Sequence, residues 1–330
     1  MPATLTKQLG ALLLPSKDSP ALRVSSPACP QPDYANLFVD LHGATRLQVD
    51  LSPMMHLRIG GPADCFIEPF AEQDVAVAIG VCHQHDLPIH ILGGGSNILC
   101  ADQGVRGVVM HLGNLNRIVR EDNRVTVGAG VTLPSLLRAT RDAGLAGLEK
   151  LTGIPAEVGG AVAMNAGTRA GETFEHLVSV TVVEPDGRLG VRSREEMSPR
   201  YRDGCLGGAI VVQATFELAP DSKEAIYERF SASLQARNNS QPVSQRSVGC
   251  VWQNPPGDAA GRLVEASGCK ELRVNGVQVS DKHANYFVND NSGTASDFLD
   301  LMNQVRGRVR SEFGVDLEPE VKFWGFSERS

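Results

Sequence analysis

Cys250 is the residue whose chemistry most affects how this sequence is interpreted. It lies in Ser247–Pro255, a glycine-led turn followed by an apolar stretch and an Asn-Pro stop. Its sulfur can hold or release a proton, yet most free cysteines simply pack as small apolar side chains. Cys250 is therefore either a packing residue or a chemical group, and its own segment does not decide between the two.

A first glycine-rich loop, Gly93–Asn97, follows the predicted strand Pro88–Leu92. Consecutive backbone N–H groups without side chains can form a nest for an anion such as a phosphate. The same residues could equally make a tight turn that needs positive φ angles. The loop is not a P-loop, because the Gly-Lys-Ser/Thr ending is missing.

A second cluster of small residues runs from Gly153 to Gly167. Small residues over this length let backbone approach something large and flat, or let a helix pack closely on a strand. Two such clusters, one small domain apart, suggest a dinucleotide held in an extended pose. A Rossmann fold is disfavoured, because no G-x-G-x-x-G with a following acid stands at a strand-to-helix junction.

Length and composition exclude several classes of protein. A chain of 330 residues exceeds one ordinary core, so two or three compact units are expected. The net charge of −7 argues against nucleic acid or an anionic membrane as the main partner. No apolar run reaches the roughly 20 residues that would cross a bilayer, and a cytoplasmic location is expected. Seven scattered cysteines without a C-x-x-C pair predict neither a disulfide framework nor a metal site.

Strands and helices alternate without a regular βαβ period, so the predicted fold class is α+β. We expect an N-terminal extension over 1–35 and three units over 36–115, 116–220 and 221–330. The predicted helices are Asp74–His85, Leu133–Ala143 and Asp297–Phe313, the last with a capping box from Thr294. The predicted strands, with a hairpin turn at Asp186-Gly187, are Val125–Gly130, Val178–Glu184, Leu189–Arg192 and Ala209–Leu218.

Several motifs, taken in their order along the chain, resemble those of the UDP-N-acetylenolpyruvoylglucosamine reductase family. The resemblance covers residues from about 50 to 325 and includes Tyr201-Arg202-Asp203 and Gly249-Cys250. The other matching motifs are Arg58–Asp64, Leu92–Ile98, Gly147–Glu149, Gly153–Pro155, Gly159–Gly167, Asn254-Pro255, Gly261–Glu265 and Leu317–Gly325.

The resemblance implies a two-part FAD-binding region of the vanillyl-alcohol-oxidase (VAO/PCMH) type, followed by a smaller α+β substrate-binding domain. It further implies NADPH-dependent reduction of the enolpyruvyl ether of UDP-N-acetylglucosamine to UDP-N-acetylmuramate, a step of peptidoglycan synthesis. FAD and NADPH are the implied cofactors, and the implied partner is a UDP-sugar. A monomer is expected, although the sequence does not give the oligomeric state or the preference for NADPH over NADH.

The implied catalytic residues are Arg202, Cys250 and Glu320. Arg202 and Glu320 would polarise the enolpyruvyl carboxylate, and a glutamate in that role should have a raised pKa. Cys250 would replace the family's more usual serine as the proton donor that follows hydride transfer from reduced flavin. A thiol is a stronger acid than an alcohol, so the replacement is chemically reasonable.

The resemblance also assigns two binding sets. The residues expected to bind FAD are Arg58, Gly60, Gly61, Gly93, Gly94, Gly95, Ser96, Asn97, Gly153, Ile154, Gly159, Gly160, Asn165, Ala166 and Gly167. The residues expected to bind the substrate are Tyr201, Asn254, Lys270, Arg237 and Arg262.

The sequence departs from the family pattern at four places. They are Ser240, where a basic residue is frequent, Gly204, where serine is usual, Ala156-Glu157, and the turn Thr168–Gly171. These departures leave two alternatives open. One is an oxidase with the same flavin fold, and the other is a non-catalytic flavin-binding relative.

Overall fold

The computed structural model describes residues 32–168 and 170–326. The helices are α1 Tyr34–Leu37, α2 Glu72–Gln84, α3 Leu133–Asp142, α4 Val158–Ala163, α5 Lys223–Ser240, α6 Ala260–Ala266 and α7 Ala295–Phe313. Short 3₁₀ turns occur at Ser52–Met54, Glu149–Leu151 and Thr173–Glu175.

The strands fall into three larger sheets and three two-stranded pairs. They are β1 Gly43–Asp50, β2 Pro62–Pro69, β3 Ile89–Leu92, β4 Ile98–Cys100, β5 Val105–His111, β6 Ile118–Glu121, β7 Arg124–Gly128, β8 Leu145–Ala146, β9 Gly167–Thr168, β10 Gly171–Glu172, β11 Leu177–Val183, β12 Leu189–Ser193, β13 Ile210–Glu217, β14 Ala219–Pro220, β15 Arg246–Cys250, β16 Arg273–Val274, β17 Val277–Val279, β18 Tyr286–Asn289 and β19 Lys322–Trp324.

The first sheet has the strand order β1-β2-β5-β3, in which β5 pairs in parallel with both β2 and β3. The predicted helix Asp74–His85 is confirmed as α2, which packs on this sheet through Val75, Ile79 and Cys82. Tyr34 is buried in the same core, so the compact part of the chain begins one residue before the expected end of the extension. The rest of that extension, residues 1–31, lies outside the described residues.

The second sheet is antiparallel, with the order β12-β11-β13-β7-β6. The predicted β11–β12 hairpin is confirmed, and Gly187 in its turn has a φ of 85°. Helices α3 and α4 cover this sheet, and α5 joins them because Phe230 packs against the same core. Helix α5 therefore packs with the second sheet, although the expected boundary at 220/221 assigns it to the third unit.

The third sheet has the order β15-β18-β17-β16 and packs against α6 and α7. The capping box predicted at the start of α7 is confirmed, because Thr294 Oγ1 accepts from the N–H of Asp297 and the Asp297 carboxylate accepts from the N–H of Thr294. Trp252 and Phe298 are fully buried in the core beneath.

Three connections join the third unit to the first. Strand β19 pairs in parallel with β4, so the end of the chain returns to the strand that follows the first glycine loop. The Asp102 carboxylate accepts from the N–H of Ala295 at the start of α7 (2.8 Å), and Asn289 Nδ2 donates to the Leu57 carbonyl (2.9 Å). The two units are thus held together by backbone pairing and buried hydrogen bonds.

Within 32–168 and 170–326, no helix combines the length and the apolar character needed to cross a membrane.

Candidate active site

The fold brings the two glycine-rich clusters side by side. A Cβ placed on Gly94 would lie 3.3 Å from the Pro155 carbonyl oxygen, and one on Gly93 would lie 3.6 Å from the Glu157 carboxylate. Both contacts join the Gly93–Asn97 loop to the loop that leads into α4. One extended ligand can therefore contact both clusters at once.

The glycines in and near these loops differ in whether they allow close packing of the protein's own backbone or leave space beside the chain. A Cβ on Gly61 or Gly95 would come within 2.2 or 2.4 Å of a backbone oxygen, so these two allow the protein's own chain to pass closely. Gly93 would meet only ordinary contacts, and Gly160 on α4 has open space beside it. These two positions leave free backbone surface of the kind a flat dinucleotide needs.

Thr152 adds a polar group to this region. Its side chain is buried next to Gly153, and its hydroxyl oxygen has no hydrogen-bond partner in the protein. Buried hydroxyls are normally paired, so an unpaired one beside a glycine loop fits a bound polar group. Together with the open glycines, it makes the residues present compatible with FAD.

The other residues expected to bind FAD surround the same loops. Gly60 and Gly153 have positive φ angles of 151° and 79°. Gly159 donates its N–H to Ala129, while Ser96, Ile154, Ala166 and Gly167 are partly buried. Arg58 is exposed and its guanidinium donates to the Pro53 carbonyl.

Asn165 has a structural contact set. Its side chain is buried, and its Nδ2 donates to the Glu172 carboxylate (2.7 Å) and to the Arg200 carbonyl (3.2 Å). Its Oδ1 accepts from the Phe174 N–H (3.4 Å). The side chain therefore braces the turn that carries Tyr201 and Arg202, and the Asn165 N–H donates to the Val162 carbonyl (3.0 Å).

Arg202 and Glu320 form a partly buried ion pair across two units. Arg202 Nε donates to Glu320 Oε1 at 2.8 Å, and their side chains are 20% and 11% exposed. Arg202 has a φ of 57°, a left-handed conformation that bulky residues adopt mainly where surrounding contacts enforce it. Here the paired backbone hydrogen bonds between Arg200 and Asp203 close the turn that presents it.

A β-bulge places Cys250. Ser247 pairs with Val288 and Cys250 pairs with Tyr286, so β15 has one more residue than β18 between these two pairs. Gly249, with a φ of 75°, lies inside the bulge. Bulges of this kind re-aim a side chain at the edge of a site.

Cys250 and Glu320 lie on adjacent segments. The N–H of Glu320 donates to the carbonyl of Val251 (2.8 Å), and the N–H of Gln253 donates to the carbonyl of Glu318 (2.9 Å). Backbone bonds therefore fix the distance between the thiol segment and the carboxylate segment. The structure brings Arg202, Cys250 and Glu320 into one cluster.

Burial, helped by the charge of Glu320, keeps the thiol protonated. Burial raises the pKa of Cys250 to about 12, and the negative charge of Glu320 contributes in the same direction. Arg202 and Arg237 oppose this by favouring the thiolate. Burial also raises the pKa of Glu320, against the opposing effect of Arg202, in the direction expected from the sequence.

Two of the residues expected to bind substrate contact each other beside this cluster. Asn254 Nδ2 donates to the Tyr201 hydroxyl (3.3 Å), and Tyr201 is 46% exposed. Arg237 crosses Gly153, whose Cβ position lies 2.7 Å from Arg237 Cδ, and its buried Nε has no hydrogen-bond partner. Cys250 affects the pKa of Tyr201 and Arg237 affects the pKa of Cys250, so both side chains lie near the thiol.

Lys270 and Arg262 have local partners instead. Lys270 Nζ donates to Glu265 (2.7 Å), while Arg262 pairs with Asp258 and covers the Phe313 ring at 5.7 Å. None of these contacts belongs to the cluster of Arg202, Cys250 and Glu320. Their role in substrate binding stays a prediction.

Two residues of the site were not identified from the sequence. Tyr286 is 6% exposed and lies opposite Cys250 on β18. Asn285 binds both the N–H and the carbonyl of Trp252 with its side chain and so fixes the segment after Cys250. Their proximity to Cys250 follows from the pairing of β15 with β18. The sequence does not show this pairing, because it depends on the bulge in β15.

An acidic and imidazole network borders the glycine loops. His111 contacts Glu68 through Nδ1 (3.2 Å) and Glu157 through Nε2 (3.3 Å). The hydrogen bond to Glu157 raises the pKa of His111, burial opposes it, and Glu68 contributes in the same direction as Glu157. Glu157, one of the departures from the family pattern, is thus partnered within the protein.

Comparisons with known proteins identify the family of this chain. The family model described as an FAD binding domain matches residues 63–191, and the one described as the C-terminal domain of UDP-N-acetylenolpyruvoylglucosamine reductase matches residues 241–324. The first range contains both glycine-rich clusters, Gly93–Asn97 and Gly153–Gly167. The second range contains Cys250 and Glu320.

Full-length relatives carry the same family name. The reductase of Moorella thermoacetica is 41% identical over 89% of this chain and 99% of its own length, and that of Rubrobacter xylanophilus is 43% identical over 81% and 91%. The crystal structure of the Thermus caldophilus reductase is 37% identical and covers 86% of this chain and 99% of its own, with a TM-score of 0.74. The chain is an FAD-dependent oxidoreductase that belongs to the UDP-N-acetylenolpyruvoylglucosamine reductase family.

Proposed function

We propose that this enzyme uses NADPH to reduce the enolpyruvyl ether of UDP-N-acetylglucosamine to UDP-N-acetylmuramate. The relatives are named for reduction of this substrate. The single observation that carries the proposal is the cluster of Arg202, Cys250 and Glu320. These residues come from three separate segments and meet next to the glycine loops.

Arg202 orients and polarises the carboxylate of the enolpyruvyl group. Its guanidinium is planar and always charged, and it can bind a carboxylate through two parallel hydrogen bonds. Glu320 holds Arg202 in place before substrate arrives. A fixed pair of this kind is prepared for the charge that develops on the substrate, which is the main source of electrostatic catalysis.

Cys250 donates the proton that completes the reduction. When bound and reduced by NADPH, FAD would supply the hydride. The thiol is protonated at neutral pH, so it is ready to act as an acid towards the strongly basic α-carbon. The S–H bond breaks, a C–H bond forms on the substrate, and the electron pair stays on sulfur next to Arg202 and Arg237.

The remaining polar groups bind the rest of the ligand. Tyr201 and Asn254 form a hydrogen-bonded pair at the entrance, and Arg237 offers a guanidinium with an unpaired Nε to a phosphate or carboxylate. Lys270 and Arg262 would have to exchange their acidic partners for the UDP group, and only an induced change on binding would permit this.

The purified protein tests the proposal directly. We expect a visible flavin spectrum that bleaches with NADPH and returns when the enolpyruvyl substrate is added under anaerobic conditions, with NADH run in parallel. Protein that remains colourless with added FAD would refute it. Flavin that is bleached by a hydroxy acid or sugar and not by NADPH, with oxygen consumed on reoxidation, would identify an oxidase. Bound flavin that none of these reductants bleaches would identify a non-catalytic relative.

Two variants test the role of Cys250. Cys250→Ala should still bleach with NADPH, but its reoxidation by substrate should slow by about 10²-fold or more because the proton donor is gone. Cys250→Ser is the matched control, since it keeps an exchangeable proton in a similar volume, and it should retain substantial turnover. Normal turnover by Cys250→Ala would assign the proton to another group.

A further inference from the structure

The sulfur of Cys250 faces a second hydroxyl-bearing side chain. Cys250 and Tyr286 are direct partners across the antiparallel strands β15 and β18, so both side chains lie on the same face of the sheet. The two side chains are close enough that Tyr286 lowers the pKa of the Cys250 thiol and Cys250 raises the pKa of Tyr286. This pairing exists because of the bulge at Gly249, since a regular ladder from Ser247 would place Asn285 opposite the cysteine.

The ring of Tyr286 is rigidly held. It is buried, and the His283 ring packs against it edge-on with centroids 4.9 Å apart. The backbone N–H of Tyr286 donates to the His283 carbonyl (2.9 Å), and the backbone carbonyl of Tyr286 accepts from the N–H of Ser280 (2.8 Å). The hydroxyl therefore has a fixed position relative to the thiol.

We propose that Tyr286 is a positioning residue for the proton donor, whose hydroxyl orients the Cys250 thiol and donates a hydrogen bond to sulfur as the thiol gives up its proton. The proposal rests on the proposed function of Cys250. When the S–H bond breaks, negative charge stays on sulfur, and a hydrogen bond to an ionised acceptor is stronger than one to a neutral acceptor. Tyr286 itself keeps its proton, because burial and the nearby Cys250 raise its pKa.

The surroundings explain why such support is needed. Burial opposes a negative charge on the Cys250 sulfur, and the charge of Glu320 opposes it further. Arg202 is engaged with Glu320, so its charge is shared. The Tyr286 hydroxyl and Arg237 also favour the thiolate.

Tyr286→Phe tests the proposal because it removes the hydroxyl and keeps the ring. The first measurement is the rate at which iodoacetamide alkylates Cys250 in the FAD-loaded enzyme near pH 8.5, followed by mass spectrometry of the Cys250 peptide. We expect about a tenfold decrease, the effect of one hydrogen bond to a charged acceptor. The control Tyr227→Phe removes an exposed hydroxyl on α5 and should leave the rate unchanged. An unchanged or faster rate in Tyr286→Phe would overturn the proposal.

The second measurement separates positioning from general damage. Tyr286→Phe should bleach with NADPH at the normal rate and be reoxidised by the enolpyruvyl substrate about tenfold more slowly. In a Cys250→Ala background the same change should have no further effect, because the hydroxyl acts only through the sulfur. Equal slowing in both backgrounds would contradict the proposal. If neither NADPH nor substrate acts on the flavin, the proposed function fails, whereas the alkylation rate still reports on Tyr286.

Discussion

The side-chain amide of Asn97 donates a hydrogen bond to the main-chain oxygen of Glu320 at 3.1 Å. The backbone carbonyl of Asn97 also accepts a hydrogen bond from the N–H of Lys322 (2.9 Å), at the point where β19 begins to pair with β4. The last residue of the first glycine loop therefore holds the segment that carries the proposed catalytic carboxylate. Asn97 therefore links the loop proposed to hold FAD to the placement of Glu320.

Asn97→Ala should weaken catalysis more than folding. Loss of the amide leaves the partly buried Glu320 carbonyl unpaired, an effect of about 1 kcal/mol that corresponds to about fivefold in the substrate-dependent step. Reoxidation by the enolpyruvyl substrate measures it. Asn114→Ala is the matched control, since Asn114 also donates to backbone carbonyls, those of Glu68 and Pro69, away from Glu320. Equal losses in both variants would contradict the coupling.

Neutral variants of the ion pair should change the reactivity of Cys250 in opposite directions. Burial is the main cause of the raised pKa of the Cys250 thiol, the charge of Glu320 raises that pKa further, and the charge of Arg202 lowers it. Glu320→Gln should therefore speed alkylation of Cys250 near pH 8.5, and Arg202→Gln should slow it, each by severalfold. Both variants should slow reoxidation by substrate, because the polarising pair is broken. Changes of the same sign in the two alkylation rates would show that the charges do not act on the sulfur.

His111 should make stability depend on pH. Its pKa is raised in the folded state, chiefly by the hydrogen bond to Glu157. The stability it contributes is fully present below the ordinary histidine pKa of about 6.5 and is lost as pH rises through the higher folded value. The melting temperature of His111→Asn should therefore fall less between about pH 6 and pH 9 than that of the unaltered protein.

The exposed histidine His83 on α2 provides the control for this measurement. His83→Asn should leave the pH dependence of the melting temperature unchanged. An unaltered slope in His111→Asn would show that the network with Glu68 and Glu157 does not titrate in this range.

Two glycine substitutions should separate folding from cofactor binding. Gly61→Ala places a Cβ 2.2 Å from the Asp102 carbonyl oxygen, so it should lower the melting temperature through an overpacking penalty of about 1–3 kcal/mol. Gly93→Ala meets only ordinary contacts within the protein and should fold normally, yet bind FAD about tenfold more weakly. Flavin fluorescence titration measures the affinity. Unchanged affinity in Gly93→Ala would remove this glycine from the FAD site.

Local sequence signals predicted much of the fold. Helix α7 was predictable because Thr294 and Asp297 cap its start and an apolar stripe follows. The hairpin at Gly187 was predictable because its turn needs a positive φ. Each of these features depends on residues close together in the chain. The packing of α5 on the second sheet depends on a distant core and was not predictable in this way.

The sequence predicted which residues form the catalytic cluster better than it predicted which side chains contact one another. Arg202, Cys250 and Glu320 were identified by resemblance, and the structure brings them together. Tyr286 was missed because one extra residue at Gly249 changes the strand register, which alternation along the chain does not reveal. The partners of Lys270 and Arg262 are acids four or five residues away, and a local pair competes with a distant ligand.

The return of β19 to β4 also sets an order for biosynthesis. Asn97 and Glu320 are 223 residues apart in sequence, and during translation N-terminal segments generally fold first. The glycine loops are therefore made long before the carboxylate that completes the cluster. A nascent chain that stops short of Glu320 contains the thiol and the arginine but not their acidic partner. Premature termination near the end of the chain would thus remove catalysis while leaving the residues proposed to hold FAD.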